Sequence, residues 1–196
     1  RRLKIANLDQ LNDPFELLSV KMSNEQVRRA FETMKREVAE NRGILCFSDS
    51  WQNPVMWGHY AEQHKGLCLG FDVPDKCLGK VDYSRKRLVA DLERLTNPAG
   101  LEPDDAKRFL FTKYSHWRYE REYRSFVTLE EKDSETGLHF ANFSEQLKLK
   151  AVIVGARSGL SRADISSALG EMHNEVQVFK ARLAFKSFKV VRQRNE

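Results

Sequence analysis

The chain has 196 residues, of which 41% are hydrophobic and 31% charged, and a formal charge of +5. That apolar content suffices for one core and implies a single domain. No apolar run approaches the roughly 20 residues of a membrane-spanning helix and no signal-peptide pattern opens the chain, so the sequence predicts a cytoplasmic protein with no membrane partner. Cys46, Cys68 and Cys77 form no C-x-x-C pair, and two of them fall in predicted core strands, which points to reduced thiols and no cysteine-based metal site.

Leu3–Ala6 alternates as a strand, and opening almost on a strand suggests that further sequence precedes it. The turn "LNDPFE", residues 11–16, follows, where Asn12 and Asp13 precede Pro14. Asx side chains there hydrogen-bond backbone N–H groups, so these two residues form either a structural turn or one wall of a binding pocket. Residues 23–41 read as a helix opened by Ser23-x-x-Gln26 and stopped by Gly43, with Val27, Phe31, Met34 and Val38 forming one packing stripe.

The most informative stretch is "ILCFSDSWQNPVMWGHYAEQHKGLCLGFD", residues 44–72. It predicts a buried strand ending at Ser48, a polar turn, a short helix over 54–64 begun by Asn53-Pro54, and a second strand over 66–71. On that helix Met56, Trp57, Tyr60, Ala61 and His64 share one arc, with His59 at its edge, where a ring can face both core and cleft. His59 and His64 are five residues apart and point about 140° away from each other, which excludes the i, i+4 pair of a helical zinc motif.

A short strand over 80–83 leads into a polar segment with Asn97-Pro98 and Gly100, read as a flexible excursion over 84–102. A helix over 103–114 then carries Asp104 and Asp105 in its first turn, matching the helix dipole. In "KYSHWRYEREYRSFVTLE", residues 113–130, the latter half is β-rich. Alternation places Glu120, Glu122 and Arg124 on one face, neighbours being roughly 7 Å apart along a strand. Two such carboxylates can hold ribose hydroxyls or do acid/base work, or can pair with Arg124 and Lys113.

Strands over 138–143 and 149–154 follow, and then a helix capped by Ser161 with Asp164 three residues on. Strands over 176–179 and 182–191 close the chain. Residues 177–196 hold six Lys or Arg against one Glu, which accounts for the whole net charge. A polyanion contact explains this basic segment, and so does protection of a sheet edge against association.

Together, "LNDPFE", "CFSDSWQNPVMWGHYAEQHKG", "GFD", "VDY", "WRYEREYR" and "VIVGA" resemble a bacterial family of domains of unknown function, over residues 11–170. The order of parts is similar to the ADP-ribosyltransferase fold, which implies an α+β domain with a split or bent, mostly antiparallel sheet and flanking helices. That resemblance implies an enzyme using NAD as substrate, with a protein or nucleic-acid acceptor or with water, in a toxin or phage-defence setting. Carried across, Ser48 and Ser50 fall at the second motif, Glu122 holds the nicotinamide ribose, and Glu120 selects or activates the acceptor. Trp57, Tyr60 or Tyr83 would stack on nicotinamide, and Asn12 and Asp13 would wall the pocket. The first-motif Arg or His has no match among Arg1, Arg2 and Lys4, so either that residue lies upstream of this sequence or His59 supplies the polar contact. Two other readings stay open: a nuclease with His59 or His64 as base and Glu120 or Glu122 as acid, and a ligand-sensing module without turnover.

Overall fold

The computed structural model describes residues 1–8, 11–13, 15, 19–21, 24–89 and 103–194. In chain order the strands are β1 (Arg2–Lys4), β2 (Arg42–Ser48), β3 (Leu67–Asp72), β4 (Gly79–Lys80), β5 (Asp82–Ser84), β6 (Thr112–Tyr114), β7 (Glu122–Thr128), β8 (Phe140–Asn142), β9 (Lys148–Val154), β10 (Gln177–Leu183) and β11 (Val190–Arg192). The helices are α1 (Glu25–Asn41), α2 (Pro54–Tyr60), α3 (Pro103–Leu110) and α4 (Arg162–Leu169). This is the expected mixed α+β class with mostly antiparallel pairing. Two compact units form, one from Arg1–Phe47 with Lys76–Asn142 and the other from Ser48–Asp75 with Phe143–Glu196.

In the first unit β2, β7 and β4 make a three-stranded sheet, β1 pairs antiparallel with β8, and β5 pairs parallel with β6. Helix α1 begins at Glu25 because the Asn24 side chain accepts the Val27 N–H, so the cap is Asn24 rather than the expected Ser23, which lies outside the described residues. Its stripe behaves as predicted. Val27 and Phe31 are buried, Met34 packs beside Phe31 and Phe109, and Val38 packs beside Leu8 and Ile44. Gly43 sits inside β2 instead of stopping the helix, because a Cβ there would overlap Ile5 and approach Leu129 to 2.7 Å. Most of the expected excursion over 84–102 lies outside the described residues. Ser84 still belongs to β5 and Leu88 bridges Val20, while Asn97-Pro98 and Gly100 lie outside the described residues. Helix α3 ends at Leu110, and β6 occupies what was read as its last turn.

The second unit is built on β9. It pairs antiparallel with β3 and parallel with β10, the crossover running through α4, and β11 closes the sheet in the order β11-β10-β9-β3. The α4 capping box is present as predicted: Asp164 N–H donates to Ser161 Oγ and the Ser161 N–H to Asp164 Oδ2. Leu149, Val152, Val154, Ile165, Leu169 and Val176 form one cluster, and Trp57, Ala61, Ile153, Ala181 and Val190 a second. Asn53 caps α2 and Pro54 takes its first position, as read. The helix stops at Tyr60, however, and Glu62, Gln63 and His64 all take left-handed backbone angles (φ 46°, 54° and 71°). That turn returns two carbonyls to the sheet end: Gly66 O accepts from Gly155 N–H and His64 O from Arg157 N–H, each at 3.0 Å.

No helix among the described residues is long and apolar enough to cross a membrane. The three cysteines form no disulfide; Cys46 is exposed and Cys68 half-buried, so the two strand cysteines are less enclosed than expected.

Two glycines give opposite predictions. A Cβ on Gly155 would overlap the His64 carbonyl and lie 2.7 Å from Gly66 O, both backbone atoms, whereas a Cβ on Gly58 meets nothing within 4 Å. Gly155→Ala should therefore destabilise by about 2 kcal/mol or more. Gly58→Ala, inside α2, should stabilise by up to about 1 kcal/mol. Denaturant unfolding of the two variants checks both signs.

Candidate functional site

The first unit buries four charged side chains together. Lys113 comes from β6, Glu120 from the last position of a 3-10 helix over Ser115–Glu120, and Glu122 and Arg124 from the start of β7. The predicted continuous strand face is broken. Arg121 takes a left-handed conformation (φ 49°, ψ 49°), turning the chain between the two glutamates. They nonetheless meet, because Lys113 Nζ lies 2.6 Å from Glu120 Oε2 and 3.1 Å from Glu122 Oε2. Arg124 grips Glu122 at two points, Nε to Oε1 at 2.8 Å and Nη2 to Oε2 at 3.2 Å, and Nη1 donates to the Leu110 carbonyl at 2.7 Å. This is the ion-pair arrangement that the sequence left open beside the catalytic one.

Charge balance inside the cluster keeps Glu122 ionised. Burial works against the carboxylate, but hydrogen bonds and charge from Arg124, the Lys113 ammonium and a hydrogen bond from Cys46 hold its pKa below the ordinary glutamate value. The Glu122 N–H donates to Tyr83 Oη at 2.8 Å, and Arg118 donates to the Tyr83 carbonyl. Burial raises the Tyr83 hydroxyl pKa.

Lys113 also lines a cavity of about 240 Å³ in this unit, with Phe15, Ser19, Ser84, Arg85, Lys86, Arg87, Thr112 and Tyr114. Four of the described lining residues are cationic and none is acidic. The Arg87 guanidinium lies over the Phe15 ring at 4.9 Å, and Tyr114 stacks on His116. Phe15 belongs to the "LNDPFE" turn. There Asp13 is buried and its Oδ1 accepts the Phe15 N–H at 2.9 Å, so the turn sets a cavity wall; Asn12 is exposed. The sequence did not single out Arg85, Lys86 and Arg87, since "SRKR" reads as ordinary surface charge until β5 and β6 pair.

The remaining candidates belong to the second unit. Ser48 Oγ accepts the Ser50 N–H, and Ser50 Oγ accepts the Gln52 N–H, so both serines fold the turn leading to α2. Trp57 is a core residue whose Nε1 donates to the Trp51 carbonyl at 2.6 Å, and its ring stacks with His64. His59 and Tyr60 are exposed, their rings 6.3 Å apart. Burial, then the Arg157 charge, lowers the His64 pKa. Among the described residues no three His, Cys, Asp or Glu are grouped to hold a metal ion.

Residues 56–125 match the model of a family described as protein of unknown function, DUF2971. The matched segment contains Lys113, Glu120, Glu122 and Arg124, along with Tyr83 and α2 from its third residue. It is shorter than the 11–170 resemblance read from the motifs, and the family's description carries no activity. No curated protein and no solved structure matches the chain.

Removing one partner of such a buried cluster leaves an uncompensated charge, so Arg124→Met should cost about 3–5 kcal/mol of stability in denaturant unfolding. The pH dependence follows from Glu122. Its folded pKa is depressed below 4.5, so its contribution is complete above that value and is lost as pH falls through the folded value. Stability measured from pH 6 downward should fall in that acid window in the parent chain and more shallowly in Glu122→Gln.

Proposed function

We propose that the first unit binds a nucleotide-type anion in the cavity walled by Arg85, Lys86, Arg87 and Lys113, and that NAD is the ligand, cleaved at its nicotinamide–ribose bond. What supports the reading is the double role of Lys113. It lines a cationic cavity and at the same time clamps a carboxylate pair, one member of which is held ionised. The arginines suit phosphate oxygens, and Phe15 and Tyr114 offer aromatic surface to a base or nicotinamide. At about 240 Å³ the cavity is below the usual 300–1,000 Å³ of small-molecule sites, so it accommodates one nucleotide half of the dinucleotide and leaves the other outside.

In this reading the bond between ribose C1′ and the nicotinamide nitrogen breaks, and its electron pair leaves with neutral nicotinamide. Positive charge develops on the ribose, which the fixed carboxylate of Glu122 stabilises. An acceptor hydroxyl, amine or water then bonds to C1′ and gives its proton to Glu120 or to solvent. Lys113 must turn from Glu122 toward the incoming phosphate for the carboxylate to face the ribose.

A second reading, binding without turnover, is favoured by one observation: both Glu122 oxygens are already engaged by Arg124 and Lys113. Calorimetry with NAD and ADP-ribose, together with chromatographic detection of nicotinamide, separates the two. The first reading predicts NAD binding, weakened about tenfold or more by the exposed change Arg87→Gln. It also predicts nicotinamide release that disappears in Glu122→Gln at a temperature where melting shows the variant folded. Binding without release selects the sensing reading, and no binding of either ligand overturns both.

A further inference from the structure

The second unit carries a feature that the first unit's chemistry does not use. The β10–β11 hairpin ends in a tip, residues 184–189, where Phe185 and Phe188 are 90% and 98% exposed. Large aromatic side chains so fully in water are uncommon on a monomer surface unless they meet a partner. The tip is also basic. Lys186 and Lys189 alternate with the two phenylalanines and are exposed, and the Arg182 guanidinium lies over the Phe185 ring at 4.6 Å.

At the other end of the hairpin a cavity of about 360 Å³ is lined by Lys180 and Arg192 of the same two strands, by Arg162 at the start of α4, and by Val154, Val178, Phe179 and Gln193 among others. Three of its described lining residues are cationic and none is acidic. Two of the cations are fixed in place: Arg192 lies over the Phe179 ring at 4.7 Å, and Arg162 Nη2 donates to the Val178 carbonyl at 3.2 Å. The α4 N-terminus is not what makes this site anionophilic, since its cap is closed by the Asp164 carboxylate.

We propose that this hairpin binds single-stranded nucleic acid, with backbone phosphates at the Arg162, Lys180 and Arg192 cavity and along Arg182, Lys186 and Lys189, and with unstacked bases on Phe185 and Phe188. Aromatic surface interleaved with cations is the combination such binding uses, because every base has a face to stack and every nucleotide a phosphate to neutralise. The spacing decides against a lipid surface. From Lys180 to Phe185 the strand advances roughly 15 Å, so the cations run along the whole hairpin to a cavity at its base instead of ringing the tip alone. A polyanion lying lengthwise meets all of them, whereas an inserted tip would leave the Arg162, Lys180 and Arg192 cavity in water. A duplex is disfavoured because its stacked bases offer no faces to the phenylalanines. The inference is independent of the NAD reading, as every residue in it belongs to the second unit.

The test uses the full chain and fluorescently labelled 12-nucleotide poly-dT and poly-U, with anisotropy read from about 20 to 300 mM salt. Binding should weaken steeply and linearly on a logarithmic salt scale. The pair Phe185→Ala with Phe188→Ala, which removes only exposed side chains, should weaken it about tenfold or more at constant salt slope. Lys180→Gln with Arg192→Gln should instead flatten the slope. A duplex of the same length should bind more weakly than the single strands. Absence of oligonucleotide binding at the lowest salt would overturn the proposal, as would binding that the phenylalanine pair leaves unchanged. Phenylalanine-dependent capture by phosphatidylserine vesicles without oligonucleotide binding would overturn it in favour of a membrane surface.

Discussion

Four buried charged side chains, Lys113, Glu120, Glu122 and Arg124, share one cluster in the first unit, and much of the local geometry around them follows from satisfying them. A carboxylate as buried as Glu122 is tolerated only with its charge balanced and its lone pairs filled, which Arg124, Lys113 and Cys46 accomplish. That requirement fixes where β6, β7 and the 3-10 helix over Ser115–Glu120 stand. Lys113 must reach across from β6, Arg121 must turn left-handed so that Glu120 comes back to the same ammonium, and Arg124 must reach the free carbonyl at the end of α3. Such a cluster is costly to assemble and costlier to interrupt, so rigidity is its first product. A rigid, charged floor beside a cationic cavity is also what a site for an anionic substrate needs.

The second unit solves a different problem, that of ending a sheet and presenting its edge. Its strand β9 buries Leu149 and the run from Val152 to Val154 while Lys150 stays exposed, and three successive left-handed residues after α2 bring the His64 and Gly66 carbonyls to the backbone amides beyond it. Left-handed angles cost each L-residue of order 1 kcal/mol, offset here by two backbone hydrogen bonds and by the stacking of His64 on Trp57. Among the described residues no strand other than β10 pairs with the edge strand β11, whose Val190 N–H donates to the Gln52 carbonyl. Charge along an edge discourages sheet-to-sheet association, and the same charge is what the proposed nucleic-acid contact would use.

Much of this was legible in the residues because the physics is local. Asn53-Pro54 opening α2, Ser161 with Asp164 capping α4, and the Val27, Phe31, Met34 and Val38 stripe all rest on spacings of four residues or fewer between successive members. Legibility failed where partners are distant. Helical periodicity carries α2 on to His64, and nothing nearby reveals that distant Gly155 and Arg157 N–H groups favour a left-handed exit at Glu62. Alternation put Glu120 and Glu122 on one strand face. They share a neighbourhood, but through a kink at Arg121 and a lysine seven residues upstream of Glu120. Arg85–Arg87 became a cavity wall only through parallel pairing of β5 with β6, which no sequence period encodes.

Glu122 is held as a carboxylate within a filled cluster of opposite charge. Carbon-13 NMR titration of the glutamate side-chain carboxyls, with Glu122→Gln used to assign the resonance, reads that state directly. Glu122 should stay ionised below pH 4.5, after exposed glutamates have begun to protonate, and Arg124→Met should move its midpoint upward. A Glu122 carboxyl that takes up its proton at or above the ordinary glutamate value in the parent chain would contradict the account, and with it the role given to this carboxylate beside the cavity.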